Sequence, residues 1–191
     1  MLDFKIDTAT FASSYKSLKE NNLYNAEMRQ QLATANNCIA IGKGSAYAAM
    51  VAVPRDYPDV VIKICANSGD AFIDYAHMCF NGTLKGPNFL KVFSETEISP
   101  GVWLFVLERL DRELTEHETK MIMNRARGGC WGSLPIPQRG IYAKNTKGIK
   151  NALNDIRIAF DNACLHLCFD LHKGNVMMRK DGTVVLLDPV C

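Results

Sequence analysis

Cys168-Phe169-Asp170-Leu171-His172-Lys173-Gly174-Asn175 runs close to the end of the chain, and Asp188-Pro189 lies thirteen residues beyond Asn175. An acid and an amide stand five residues apart, and a second acid follows a hairpin. Val176-Met177-Met178 and residues 183–187 are the hairpin's arms, turning at Asp181-Gly182, a strong two-residue turn signal. The hairpin folds Asn175 and Asp188 toward one another, so both can reach one cation. Phosphoryl transfer calls for such a set: a carboxylate to orient the attacking hydroxyl, and a carboxylate with an amide oxygen to hold magnesium on phosphates. Taken singly, Asp170 and Asn175 would suit an Asx turn, and Asp188 a strand cap before proline.

Working upstream, residues 147–167 carry Ile149, Leu153, Ile156, Phe160 and Cys164 at helical spacing, so a long helix leads into the motif. Residues 128–140 are rich in Gly and Pro and are expected as a loop, and 112–127 as a polar helix. From Cys38 to Leu110 the pattern is β-β-α-β-β: CIAIGKGSAYAAMVAVP, DVVIKICA, the helical DAFIDYAHMCF, NFLKVFSET and GVWLFVLERL. Residues 8–36 are helical in pattern, with an interruption at Asn21-Asn22. Two features of the β region bear on chemistry. Gly42-Lys43-Gly44 between strands lets backbone amides approach a phosphate, although a simple turn has the same signature. Lys63 sits inside Val60-Val61-Ile62-Lys63-Ile64, where an ammonium needs either a partner or a route to water. The order glycine loop, strand, turn, lysine strand places that ammonium beneath the loop.

With 191 residues, 48% hydrophobic and 22% charged, the chain has the composition of a globular protein with a real core. A net charge of +2 gives no general case for nucleic acid binding. Residues 109–157 nevertheless hold ten Lys/Arg against five Asp/Glu, either a solvated face or a docking surface for an acidic partner. Seven cysteines without a CxxC pair or metal-ligand spacing, several in apolar runs such as those of Cys65 and Cys164, are expected to be mostly buried reduced thiols. The odd count without a signal peptide points to a reducing cytoplasm, and no apolar run reaches the roughly 20 residues of a membrane span.

The ordered set Gly42/Gly44, Lys63, Asp170, Asn175 and Asp188 resembles the protein kinase superfamily over residues 38–191. More narrowly, CFDLHKGNVM with DPV, and GKGSAYAA with VIK, resemble the early Ser/Thr protein kinase of autographiviruses, the short-tailed phages that encode their own RNA polymerase. The resemblance implies an α+β, minimal two-lobed fold with an antiparallel N-lobe sheet and a truncated helical C-lobe. Its expected parts are a helical segment at 1–37, an N-lobe at 38–110 and a reduced C-lobe at 111–191. It implies ATP and Mg²⁺, with Asp170 positioning the acceptor hydroxyl and Lys63 meeting the phosphates. Asn175 and Asp188 would bind the metal. Gly42, Gly44 and Ser45 would cover the nucleotide, and Glu108–Leu110 would form the hinge meeting adenine; Lys173 or a protonated His172 would offset charge on the transferred group, or each would be a solvent-facing loop residue. Residues 64–94 contain no Glu, which leaves Asp70 and Asp74 as candidates to pair with Lys63.

This sequence departs from the family pattern at Tyr47 for a third glycine, Phe169 for the usual arginine, Cys168 for histidine, and Asp188-Pro189 for Asp-Phe-Gly. With no activation loop, activity is expected to need no activating phosphorylation. The functions in view are a phage kinase acting in the host cytoplasm on host proteins and itself, in takeover or against defence; a weak or inactive kinase-fold module that binds a host protein; and, because His172 resembles the aminoglycoside and choline kinase branch, a small-molecule phosphotransferase. The short C-lobe suggests a second copy of the chain, or residues 9–36, covering its exposed floor.

Overall fold

Alternation fixes the first half of the molecule. In β3 (Val60–Cys65) the residues Val60, Ile62 and Ile64 share one face, and Val61, Lys63 and Cys65 the other. The computed structural model describes residues 6–20, 26–41, 48–66, 69–126 and 136–191. Among them are an antiparallel five-stranded sheet, a three-stranded sheet and five helices, an α+β fold. The chain divides into two compact units: residues 1–73 with 91–109, and 74–90 with 110–191.

In the first unit β1 (Cys38–Ala40), β2 (Ala48–Pro54), β3, β5 (Val102–Glu108) and β4 (Val92–Ser99) are hydrogen-bonded in that order. All pairs are antiparallel, with Lys63 opposite Phe105 and Cys65 opposite Trp103. Helices α1 (Thr8–Glu20) and α2 (Ala26–Ala35) lie against one face: Phe11, Tyr15, Met28 and Leu32 pack with Met50, Ile62, Ile64, Leu104 and Val106. The apolar side chains of residues 9–36, expected as one possible cover for the floor around Asp170, are used on this sheet. Asp7 starts α1 by accepting the N–H groups of Ala9 and Thr10, each at 3.1 Å. The edge strand β4, with Ser94, Glu95, Thr96 and Glu97, is polar, which suits an edge.

In the second unit β6 (Arg112–Glu113), β7 (Val176–Met178) and β8 (Val184–Leu186) form the small sheet. Its helices are α4 (Glu116–Ala126) and α5 (Ile136–Asn162). The boundary between units falls within α3 (Ala71–Phe80), between Ile73 and Asp74. Ile122, Ile149, Ile156, Phe160, Val176 and Val184 are fully buried in the second unit.

Several sequence expectations shift here. Arg112 and Glu113 pair with Met178 and Met177 as a strand instead of opening a helix. The Gly/Pro-rich segment ends earlier than expected, since α5 begins at Ile136. Pro137 falls in its first turn, where the missing N–H has no helical partner to lose. The same helix stops at Asn162, not 167. Cys164 there adopts a left-handed φ of 55°, its N–H donates to Asp161 O, and Leu165 N–H donates to Phe160 O. That pair of bonds is a Schellman end built on a cysteine where glycine is usual. The cap turns Cys164 outward, and Cys168 and Cys191 are also exposed, against the expectation of mostly buried thiols. Cys38 and Cys65 are buried, and Cys130 lies outside the described residues. Burial pushes the Cys38 thiol up to about 11 and the Cys79 thiol up to about 12.

Candidate active site

The end of α5 delivers the chain to a two-residue bridge that carries Asp170. Phe169 pairs with Val190, Cys191 N–H donates to Cys168 O, and Asp170 N–H donates to Pro189 O, both at 2.9 Å. The backbone of Asp170 is therefore tied to the segment that carries Asp188.

From Asp170 the loop folds back. His172 caps the 3-10 turn Lys173–Asn175: its Nδ1 accepts the Gly174 N–H at 3.0 Å, which leaves the ring proton on Nε2. That Nε2 lies 3.4 Å from Asp170 Oδ2. Gly174 allows the ring to lie so close, because a Cβ there would meet His172 Cε1 at 2.9 Å. The Asn175 Nδ2 donates to Asp170 O at 2.9 Å and to Oδ2 at 3.1 Å. With the amide nitrogen turned to Asp170, the amide oxygen is the atom Asn175 would offer to a cation. The Asn175 carbonyl accepts the N–H groups of Leu187 at 2.9 Å and Asp188 at 3.4 Å, so the metal candidates Asn175 and Asp188 are brought side by side. The turn expected at Asp181-Gly182 is present, with Gly182 at φ 81° and Thr183 N–H donating to Asp181 Oδ1.

Three buried polar side chains with no short-range sequence signal hold strand β8. Tyr75 Oη donates to Leu186 O at 2.7 Å, Asn88 Nδ2 donates to Val184 O at 2.7 Å, and Val184 N–H donates to Asn145 Oδ1 at 2.9 Å. The Asn88 carbonyl accepts Leu186 N–H. The edge of β8 away from β7 is thereby satisfied, and its position just before Asp188 is fixed. Full burial pushes the Tyr75 phenol well above its ordinary range. Gly148 makes room for Asn88, since a Cβ on α5 at that point would collide with the amide.

The other expected site residues are distributed over both units. Lys63, only 8% exposed, belongs to the first unit and holds its ammonium 3.3 Å from the centroid of the Phe72 ring. Phe72 in turn meets Phe105 edge-on at 5.6 Å. This cation–π contact supplies a partner that the sequence reading sought only among acids. Asp70 caps α3, accepting the Phe72 N–H at 3.1 Å, and Asp74 stands half-buried in that helix's first turn. Glu108 exchanges two bonds with Lys91, donating its N–H to Lys91 O and accepting the Lys91 N–H on Oε1. Leu110 is buried in the second unit. Lys173 is exposed, and its ammonium helps to lower the Glu116 carboxyl, after the larger effect of the Lys120 hydrogen bond. Gly42, Gly44, Ser45 and Tyr47 lie outside the described residues.

Among the described residues, no group of three or more His, Cys, Asp or Glu side chains is placed to hold a metal ion, and no helix is long and apolar enough to cross a membrane. Asn175 and Asp188 would contribute two hard oxygen donors, the number magnesium takes when phosphates and water complete its shell.

No protein-family model matches the chain, and no curated protein matches it in sequence. Among solved structures the chain is similar to the kinase domain of Mycobacterium tuberculosis PknI. A double mutant of that domain is 15% identical with a TM-score of 0.44, over 80% of this chain and 60% of the other. The PknI kinase domain itself is 17% identical with a TM-score of 0.42, over 80% and 59%. The chain thus spans about three fifths of the length of the domains it matches.

Proposed function

We propose that this protein is a Ser/Thr protein kinase that moves the γ-phosphoryl group of Mg-ATP onto protein hydroxyls, its own included. The observation that carries the reading is the Asn175 amide, with its nitrogen bonded to Asp170 and its backbone bonded to Asp188. In that arrangement Asp170 orients the acceptor hydroxyl and takes its proton, while Asn175 and Asp188 offer oxygens to the cation. Mg-ATP, when bound, supplies the transferred group and neutralises its charge. Asn175 Nδ2 donates to Asp170 Oδ2 and His172 Nε2 lies 3.4 Å from the same oxygen, which favours one orientation of the carboxylate. Lys63 supplies a positive charge for phosphate.

The resemblance of the motif stretches to the early kinase of autographiviruses extends the proposal to a phage enzyme working on host proteins in the bacterial cytoplasm. The test is transfer from labelled ATP to the chain and to proteins of a bacterial lysate. Asp170→Ala and Lys63→Ala are each expected to lower labelling by roughly two orders of magnitude or more, with thermal melting retained. Persistence of transfer in both variants would show the assignment to be wrong. An effect on the host that survives Asp170→Ala would favour the binding-module alternative.

A further inference from the structure

A cavity of about 500 Å³ opens in the second unit between α4 and the loop that follows Asp170. Glu116, Lys120 and Met123 line it from the helix, and Leu171, His172 and Lys173 from the loop. Met123 is 4% exposed and Leu171 half-buried, which gives the cavity an apolar floor. Its rim is charged. Lys120 Nζ lies 2.6 Å from Glu116 Oε1, with both side chains 69% exposed. Lys173 also acts on Glu116 and helps to hold its carboxyl below the ordinary range. Two lysines against one glutamate leave one positive charge over before His172 is counted.

The position of the cavity matters as much as its charge. Its loop wall is the three residues immediately after Asp170, and consecutive Cα atoms are about 3.8 Å apart. The loop wall of the cavity therefore starts one residue from Asp170 and ends three residues from it. We propose that this cavity receives an anionic side chain of the acceptor protein, two or three residues from the phosphorylated Ser or Thr. A glutamate, an aspartate or an already phosphorylated serine would lay its stem on Met123 and Leu171 and its charge between Lys120 and Lys173. The proposal rests on the kinase reading above and names the substrate class of that site.

The full chain with Mg-ATP would be assayed on synthetic peptides holding a single Ser, with Glu, phosphoserine, Ala or Lys placed two or three residues to either side. The Glu and phosphoserine peptides are expected to exceed the Ala peptide about fivefold in kcat/KM, and the Lys peptide to fall below it. Their ranking distinguishes a carboxylate from a phosphate as the preferred anion. Lys120→Gln should flatten the ratio between Glu and Lys peptides, and Lys120→Glu should reverse it. The readout is a ratio within each variant, so a general loss of activity does not imitate the result. Equal use of the Ala, Glu and Lys peptides by the wild type, or an unchanged ratio in both Lys120 variants, overturns the proposal and leaves the kinase reading standing. Failure of the wild type to label any peptide, lysate protein or itself removes both.

Discussion

Under the proposed function Asn175 does two jobs with one amide, and the two can be separated by substitution. Its nitrogen holds Asp170 at both the backbone carbonyl and Oδ2, while in the proposed reaction its oxygen would be offered to the cation. Asn175→Asp keeps an oxygen ligand, yet it replaces the donor with a carboxylate about 3 Å from the acceptors on Asp170. Asn175→Ala removes both functions without adding repulsion. If positioning of Asp170 dominates, Asn175→Asp will turn over no faster than Asn175→Ala, each about 10–100-fold below wild type. Steady-state kinetics at saturating ATP, with melting curves as the control for folding, decides the matter. A clearly faster Asp variant would show that the oxygen alone is what the site needs. Lys63 teaches a related lesson: its buried ammonium is met by the Phe72 π face, so the absence of Glu from 64–94 does not leave the charge without a partner.

The start of α4 is fixed by a reciprocal cap that also anchors the small sheet. Glu118 N–H donates to Thr115 Oγ1 at 3.2 Å, and Thr115 N–H donates back to Glu118 Oε2 at 2.8 Å. Arg112 in β6 forks onto the same carboxylate at 2.8 and 3.0 Å. These bonds, Arg112 foremost, hold the Glu118 carboxyl down at about 2, against an ordinary value of 4.5. A carboxyl with a depressed folded value stabilises fully above its unfolded value and loses that contribution as pH falls through the folded one. Glu118→Gln is therefore expected to cost about 1–2 kcal/mol at neutral pH. The difference from wild type should hold down to about pH 4.5 and close as the pH approaches 2. Thermal melts of both proteins across that range test it, and a gap independent of pH would refute the linkage. Thr115-x-x-Glu118 is visible in the sequence as a capping box, but it was hidden inside a helix expected to run from 112. At the other end of the site, apolar spacing continues through Cys164, so periodicity alone overshoots a helix that a left-handed cysteine terminates.

At the scale of the whole chain, local signals were legible and long-range polar ones were not. The Asp181-Gly182 turn, the short apolar runs of β3 and β5 and the five-residue step from Asp170 to Asn175 all lie within a few residues of their consequences. Tyr75, Asn88 and Asn145 act on β8 from 111, 96 and 39 residues away, where no motif links a buried amide or phenol to its partner. The surface taken by the N-terminal helices is illegible for a similar reason: amphipathic spacing shows that they need an apolar surface, without saying which. Because Ile62, Ile64, Leu104 and Val106 supply it, the helices complete the face of the sheet opposite Lys63 and Phe105. Phe11, Tyr15, Met28 and Leu32 are all at most 3% exposed, and each such side chain contributes about 1.5–3 kcal/mol by burial. Together they are comparable with the roughly 5–15 kcal/mol net stability of a typical domain. Removal of residues 1–36 should consequently yield insoluble protein even though Asp170, Asn175 and Asp188 are untouched, as read by the soluble fraction on expression. Soluble, kinase-active truncated protein would show that the sheet stands without its helical cover. Insolubility that is relieved when Ile62, Ile64, Leu104 and Val106 are made polar in the truncated chain would trace the failure to that one uncovered face.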